Sequence, residues 1–217
     1  MPDRRSHPLA AFTLAILAAA VVPGRADELP PKDAPAYSAV YQMRTQAREK
    51  AQDPWGYKKE DTVTVAVLAK QSRWTHKSDG QNLLYDSVSR TSTLWGGATP
   101  AGTAVRSRSG LTPIGWEFGY ATVAFAAENK PEVLGKATIA GHECTRLRYV
   151  SDQYGEPEFC VTNTGIVLRF ATASTTAEAV YEAQSVDEKA PDKSLFSPPA
   201  DLKIEERAGA PRKAVKF

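Results

Sequence analysis

The sequence predicts a mainly β protein of the α+β class, built on an antiparallel meander with one apolar face. Three observations predict it: apolar residues at every second position, short turn motifs between those runs, and one Ala- and aromatic-rich stretch that could be a helix. Alternation with a period of two places apolar side chains on one face of a sheet and polar side chains on the other. A length of 217 residues fits one domain or two small ones, and since no long linker is evident we favour one.

The first 26 residues are typical of a secretory signal peptide rather than of a folded element. Two arginines precede an uncharged run over 9–22, which leads through small residues to Ala26. That run of 14 residues is too short for a membrane-spanning helix, which needs about 20. We therefore expect cleavage near Ala26, a periplasmic protein, and no transmembrane segment in the mature chain.

Removal of this peptide changes the charge balance. The whole chain has 27 basic and 25 acidic residues, and the first 26 residues contain three of the former and one of the latter. The mature chain would be balanced at 24 of each. Broad attraction to phosphate backbones then loses its main support, and basic residues do not alternate with aromatic ones as in single-strand binders, so we expect no nucleic acid partner.

Six alternating runs follow the signal peptide in order. Their apolar members are Tyr37, Ala39, Tyr41 and Met43; Val63, Val65 and Val67; Leu83 and Tyr85; Leu147 and Tyr149; Phe159 and Val161; and Ile166, Leu168 and Phe170. Turn motifs separate the runs, at 53–56, 78–80, 151–157 and 163–165, and their Gly, Asn and Asp residues supply the positive φ angles of tight hairpins. Strands joined this way form an antiparallel meander that can bury one face.

Other stretches do not alternate clearly. Residues 27–36 are predicted to be a leader, 37–205 the single β domain, and 206–217 a flexible basic tail. Residues 96–110 are rich in Gly, Ala, Ser and Thr, which favours a mobile loop. Residues 114–129 fit a strand or a helix, and their alanines favour a helix that would cover the apolar face of the sheet.

Cys144 and Cys160 flank a predicted hairpin, and an oxidising compartment would favour a disulfide between them. If they lie directly opposite each other, both fall on the polar face, beside Arg146 and Glu158. Closing such a short loop would contribute about 3 kcal/mol. The alternative is a redox-active pair, which usually has Cys-x-x-Cys spacing that is absent here.

Motifs for catalysis or metal binding are not found in the sequence. The mature chain has two histidines, His76 and His142, and the run 142–144 places His, Glu and Cys side by side. Adjacent residues of a strand point to opposite faces, so they do not readily converge on one ion. A nucleophile elbow, a phosphate-binding loop and a dinucleotide fingerprint are all missing. We expect no enzyme, no metal and no cofactor.

Aromatic content suggests a binding function instead, since a sheet covered by one helix can leave an apolar pocket. Our first hypothesis is a non-enzymatic protein that binds a lipid or another hydrophobic ligand. The residues we expect to line the pocket are Tyr41, Val65, Trp74, Tyr85, Trp95, Trp116, Phe125, Leu147 and Leu168. The alternative is an envelope protein-interaction or sensing module with a filled core, and an enzyme ranks third.

Several segments between 36 and 204 resemble a known family. They are 37–45, 72–75 (SRWT), 79–80 (DG), 83–86 (LLYD), a strand ending near Trp95, 134–144 (LGKATIAGHEC), 160–162 (CVT), 165–169 (GIVLR) and 192–199 (DKSLFSPP). Their order resembles the LolA/LolB-like superfamily of lipoprotein-localisation factors, and most closely an uncharacterised periplasmic family of that fold. The resemblance implies an unclosed antiparallel β-barrel with helices covering its concave face. In the localisation factors that cavity receives lipoprotein acyl chains, but these motifs are chiefly structural and transfer the fold better than the function.

Overall fold

One twelve-stranded sheet dominates the protein. The computed structural model describes residues 35–47, 60–108, 130–149, 157–173 and 177–207. The strands are β1 Tyr37–Ala47, β2 Glu60–Leu68, β3 Gln71–His76, β4 Asn82–Asp86, β5 Thr91–Trp95, β6 Thr103–Arg108, β7 Glu132–Ile139, β8 His142–Arg148, β9 Glu158–Val161, β10 Val167–Ala173, β11 Ala177–Asp187 and β12 Lys203–Arg207.

The strands run in the order β12-β6-β5-β4-β3-β2-β1-β11-β10-β9-β8-β7, so the edge strands β12 and β7 do not pair and the sheet is unclosed. All strand pairs are antiparallel except β12–β6. The mainly β, unclosed antiparallel architecture is confirmed. The helix expected at 114–129 lies outside the described residues. Within those residues the regular helix is a single 3₁₀ turn, Lys193–Phe196, and no helix there is long and apolar enough to span a membrane.

The sheet bends around one face, here called the inner face and defined by Tyr41, Trp74 and Phe159. Trp74 on β3 and Tyr181 on β11 have ring centroids 5.6 Å apart. Three strand spacings separate these strands, about 14 Å in a flat sheet at about 4.8 Å per spacing. Side chains standing upright on a flat sheet would not meet, so the sheet curls to bring its two halves together.

The alternation predicted for β1 and β2 is confirmed. Tyr37, Tyr41, Val63 and Val65 are completely excluded from solvent, whereas Thr64 between the two valines is exposed. Burying an apolar side chain stabilises a fold by about 1.5–3 kcal/mol, so this row provides much of the driving force for folding. The main core cluster extends from β1 to β4 and from β8 to β11.

A second, smaller cluster lies on the opposite face, here called the outer face. It contains Ala66, Leu84, Trp95 and Ala104 of the sheet, covered by Phe196 of the 3₁₀ turn. The chain leaves β11 in the middle of the sheet, crosses β3 at this turn, and adds β12 to the edge beyond β6. The segment 188–202, here called the strap, therefore joins the centre of the sheet to its edge.

Arg73 anchors the strap from below. Its guanidinium donates hydrogen bonds to the Leu195 carbonyl oxygen at 3.1 Å and to Asn82 Oδ1 at 2.9 Å. It also lies over the Trp95 ring, 5.2 Å from the centroid, which is within cation–π range. The half-buried guanidinium of Arg73 thus contacts a backbone carbonyl, a side-chain amide and an aromatic ring beneath the strap.

Two sequence-based expectations about the extent of the strands were wrong. Residues 96–110 are not wholly a loop, because β6 occupies Thr103–Arg108 and pairs with β5 on one side and β12 on the other. The basic tail does not begin at residue 206, because Glu206 and Arg207 belong to β12. Pairing with neighbouring strands outweighs the weak strand propensity of these small or charged residues. Residues 1–34 and 208–217, with the signal peptide and nearly all of the leader, lie outside the described residues.

Candidate functional site: the inner face

Aromatic side chains form a continuous band on the inner face. Tyr181 lies 6.0 Å from Phe170, and Phe170 lies 5.0 Å from Phe159, measured between ring centroids. Phe159 meets Tyr149 edge-on at 5.5 Å and lies opposite Leu147 in the β8–β9 ladder. Tilted and edge-on pairs at these distances add stabilisation beyond simple burial. The band gives this half of the sheet a broad apolar surface.

The other half of the inner face has its own apolar row. Register places one residue from each of six neighbouring strands in line: Ala39, Val65, Trp74, Leu83, Leu94 and Val105. Trp74 is completely buried and joins this row to the aromatic band through Tyr181. The two halves therefore present one apolar surface along the inside of the sheet.

Two buried tyrosines tie β1 to β10 beneath this surface. The Tyr41 hydroxyl donates a hydrogen bond to the Val167 carbonyl oxygen, at a sequence separation of 126 residues. Burial raises the pKa of Tyr37 and of Tyr41 well above the ordinary value, and the two hydroxyls are hydrogen-bonded to each other. Both stay neutral, so they serve as fixed hydrogen-bonding groups rather than as acid–base groups.

One end of the inner face has an acidic cluster. Asp61 accepts hydrogen bonds from Ser78 Oγ at 2.6 Å and from the Thr62 backbone N–H at 2.8 Å, and it contacts His76 Nδ1 at 2.9 Å. Burial alone would raise the pKa of Asp61, but hydrogen bonds from Ser78, His76 and Thr62 outweigh it, and the pKa is lowered. The Ser78 hydroxyl is thus hydrogen-bonded to the carboxylate, whereas in a nucleophilic triad the serine hydroxyl is hydrogen-bonded to the histidine. The cluster fixes the hairpin between β2 and β3.

The two histidines have separate partners. His76 pairs with Asp61, whereas His142 lies 3.4 Å from Glu188 at the end of β11. In the described part of the chain no three side chains of the metal-ligating types come together. A polar cleft with both histidines, which would have favoured an enzyme, is not formed by these residues, and the absence of enzymatic activity stays a prediction.

The structure brings most of the predicted pocket residues together. Tyr41, Val65, Trp74, Leu147 and Leu168 belong to the same buried cluster. Their role in binding a ligand stays a prediction.

Four predicted pocket residues remain. One of them, Tyr85, lies on the same face near its rim, and the other three lie elsewhere or outside the described residues. Tyr85 is on the inner face, opposite Ser72 and Ser92. Trp116 and Phe125 lie outside the described residues.

The prediction for Trp95 was wrong, because its side chain lies on the opposite face of the sheet from that of Trp74. Trp74 pairs with Leu83 and, beyond it, Leu94 points the same way, so the next residue, Trp95, points to the outer face. There it packs with Phe196 of the strap. Leu94 and Trp95 are adjacent and both apolar, so the sequence alone did not show which of the two points inward.

The predicted disulfide is confirmed. Cys144 and Cys160 are bonded, with Cα atoms 5.4 Å apart, and both are nearly fully buried. The expected pairing was wrong by two residues, because Arg146 and not Cys144 lies opposite Cys160. The disulfide therefore joins residues that are diagonal to each other across the β8–β9 pair. By alternation, both cysteines still lie on the same face of the sheet as Arg146 and Glu158, as expected.

Charged side chains surround the bridge on the outer face. Glu158 accepts hydrogen bonds from Arg148 at 3.0 Å and Arg146 at 3.4 Å, and lies 3.8 Å from Arg169. Burial alone would raise the pKa of Glu158, but Arg148 and Arg146 lower it overall. Charges of opposite sign are interspersed here, so this face is a solvated surface with little net attraction for an anion.

Comparison with known proteins gives the fold. The sequence matches no protein-family model and no curated protein. Among solved structures, an uncharacterised conserved protein from Thermus thermophilus has a TM-score of 0.50 at 12% identity, over 83% of this chain and 96% of that one. At 12% identity the similarity concerns the fold alone.

Two further solved structures match with TM-scores below 0.5. A LolA superfamily protein from Nitrosomonas europaea gives a TM-score of 0.38 at 15% identity, over 80% of this chain and 94% of that one. The MucA/MucB complex of Pseudomonas aeruginosa gives 0.39 at 11% identity, over 78% of this chain and 58% of that one. A protein of the LolA superfamily, to which the sequence segments are similar, is therefore among the solved structures that this chain resembles.

Proposed function

We propose that this protein is exported to the periplasm, where it binds a lipid or another hydrophobic ligand on the inner face of its sheet without catalysing a reaction. The observation that carries the proposal is the apolar surface that runs along the inside of an unclosed sheet, from Val65 and Trp74 to Phe159 and Leu147. A sheet that does not close on itself needs another layer over its apolar face. A ligand can supply part of that layer.

The charge distribution agrees with an apolar ligand. The large ion-pair network of the described residues, around Glu158, Arg148 and Arg169, lies on the outer face. The apolar row and the aromatic band carry no charged side chain. Attraction by this inner surface therefore depends on apolar contact.

The direct test begins with export. The full chain is expressed in a bacterial host and recovered from the periplasm, where we expect an intact mass that corresponds to cleavage near Ala26. Native mass spectrometry and solvent extraction then search for co-purified amphiphiles. Recovery of the protein only from the cytoplasm would contradict export, and absence of any bound amphiphile would count against ligand binding.

A matched pair of variants locates the site. Leu94 is a half-buried member of the apolar row, whereas Val88 is 70% exposed in the β4–β5 turn. With the apolar dye N-phenylnaphthylamine, Leu94→Ala should lower affinity about tenfold, which matches the loss of about 1.4 kcal/mol of apolar contact. Val88→Ala should leave dye affinity unchanged. Equal affinities for both variants and the parent would place the dye elsewhere.

A second candidate function is an envelope protein-interaction module. The observation that favours it is the burial of the inner face. Tyr37 and Trp74 are completely excluded from solvent and Phe159 is nearly so, which fits a filled interior. In that case the dye would not bind, and protein partners rather than lipids would co-purify.

A further inference from the structure

A row of hydroxyl groups crosses the inner face beside the apolar row. Register aligns one residue from each strand β1 to β6, and five of the six carry a hydroxyl: Tyr37, Val67, Ser72, Tyr85, Ser92 and Ser107. We call these residues the hydroxyl row. The adjacent row on the same face, which contains Trp74 and Leu94, has no hydroxyl at all. Of these two adjacent rows, only one therefore carries hydroxyl groups.

Ser92 is the member of the row that most needs a partner. It is only 2% exposed, and its Oγ is buried without a hydrogen bond. Buried polar groups in proteins are nearly always hydrogen-bonded, and one left unsatisfied costs about 1–3 kcal/mol. A hydroxyl kept at this cost, between the hydroxyl-bearing residues Tyr85 and Ser107, is the arrangement of a site that a ligand completes.

The position of the row suits an amphiphile. Ser72 comes just after the β2–β3 turn, and Tyr85 and Ser92 flank the β4–β5 turn, so the hydroxyl row lies next to one rim of the sheet. The apolar row with Trp74 lies on the interior side of it. An apolar tail can lie across the apolar row while its polar end reaches the hydroxyl row.

The charges near the row indicate which polar end fits. All five polar members are neutral alcohols or phenols. The charged residue that continues the row is Arg207 of β12, which lies opposite Ser107 and is exposed at the sheet edge, two strands away from Ser92. A buried carboxylate or phosphate needs a paired charge, whereas a carbonyl needs only a donor.

We propose that the hydroxyl row binds the ester or amide carbonyl of a neutral amphiphile, with Ser92 as the main hydrogen-bond donor. This inference rests on the proposed function, since it names the polar group of the ligand that the inner face would hold. It assigns the row no chemical step.

The test compares two lipids of equal chain length. Monoolein carries a neutral ester and oleate a carboxylate, and both are titrated against the periplasmic protein in competition with N-phenylnaphthylamine. We expect monoolein to bind more tightly than oleate. Ser92→Ala should weaken monoolein about three- to tenfold, the range for one neutral hydrogen bond, and leave the affinity for the dye unchanged.

Ser89→Ala is the matched control. Ser89 lies in the same turn region, is exposed, and its hydroxyl already contacts Thr91 at 2.8 Å. This variant should bind both lipids like the parent. Thermal unfolding separates this role from a structural one. Loss of a structural serine would lower the melting temperature, whereas Ser92→Ala should leave the melting temperature of the ligand-free protein unchanged or raise it, because it removes an unsatisfied group.

The outcomes separate the two proposals. If neither dye nor lipid binds, the proposed function and this inference fail together. If the dye binds but Ser92→Ala leaves monoolein affinity unchanged, or lowers the melting temperature of the ligand-free protein, only the inference fails. Tighter binding of oleate that is lost in Arg207→Gln would also overturn it, in favour of an anionic ligand.

Discussion

Removal of the Cys144–Cys160 bridge should destabilise the protein substantially. The perturbation is the double variant Cys144→Ala/Cys160→Ala, which removes the bond without leaving a lone thiol. The bridge spans 16 residues, and constraining a loop of that length in the unfolded chain stabilises the fold by about 3 kcal/mol. For a chain of this size the loss corresponds to a melting temperature about 6–12 °C lower.

The assay is urea denaturation at pH 7, followed by tryptophan fluorescence, on the oxidised parent and the double variant. The control is the parent unfolded and refolded with reductant present throughout, which should approach the stability of the variant because it lacks the same constraint. Both cysteines are nearly fully buried, so reductant added to the folded parent should act slowly. A difference in the free energy of unfolding below about 1 kcal/mol would refute the reasoning that the bridge acts by constraining the unfolded chain.

Three further changes test other contacts. Tyr41→Phe removes the hydrogen bond to the Val167 carbonyl and should cost about 1 kcal/mol in urea denaturation; an unchanged midpoint would contradict that role. The Asp61 carboxylate has a lowered pKa in the folded state, so its stabilisation is present above the ordinary Asp pKa and is lost as the pH falls through the folded value. Asp61→Asn should flatten that acidic limb of a stability–pH curve, and an identical limb would count against a lowered pKa of Asp61 in the folded state. Phe196→Ala should cost about 3 kcal/mol and expose the strap to limited proteolysis, whereas unchanged cleavage would show that other contacts hold the strap.

Strands with strong alternation could be predicted from the sequence, and those with weak alternation could not. In β1 and β2 most residues at alternate positions are large or β-branched and apolar (Tyr37, Tyr41, Met43, Val63, Val65 and Val67), so both the strands and their inner face were evident. The central strand β11 was not predicted, because its alanines and glutamates are typical of a helix or an exposed segment. Tyr181 is its one aromatic residue, so the alternation is weak. Its strand structure comes from pairing with β1 and β10 on both sides.

The candidate site was predictable in part for the same reason. The alternation identified Val65 and Leu147 as inward-facing, and both are completely buried. It did not settle the orientation of Trp95, which depends on the strap that covers it from the outer face. The hydroxyl row was missed as well, because its members are far apart in sequence and only the register aligns them. The available signal was one serine at an inward position in each of β3, β5 and β6, namely Ser72, Ser92 and Ser107.

The pairing of β1 with β11 has a consequence for how the chain folds. These two strands lie side by side in the middle of the sheet, yet Ser38 and its partner Asp187 are almost at opposite ends of the domain. Contacts between residues so distant in sequence form slowly, because the intervening chain must first be brought together. The sheet cannot close its centre before nearly the whole domain has been synthesised. The pairing of β1 with β11 therefore forms late, which suits the export that we propose.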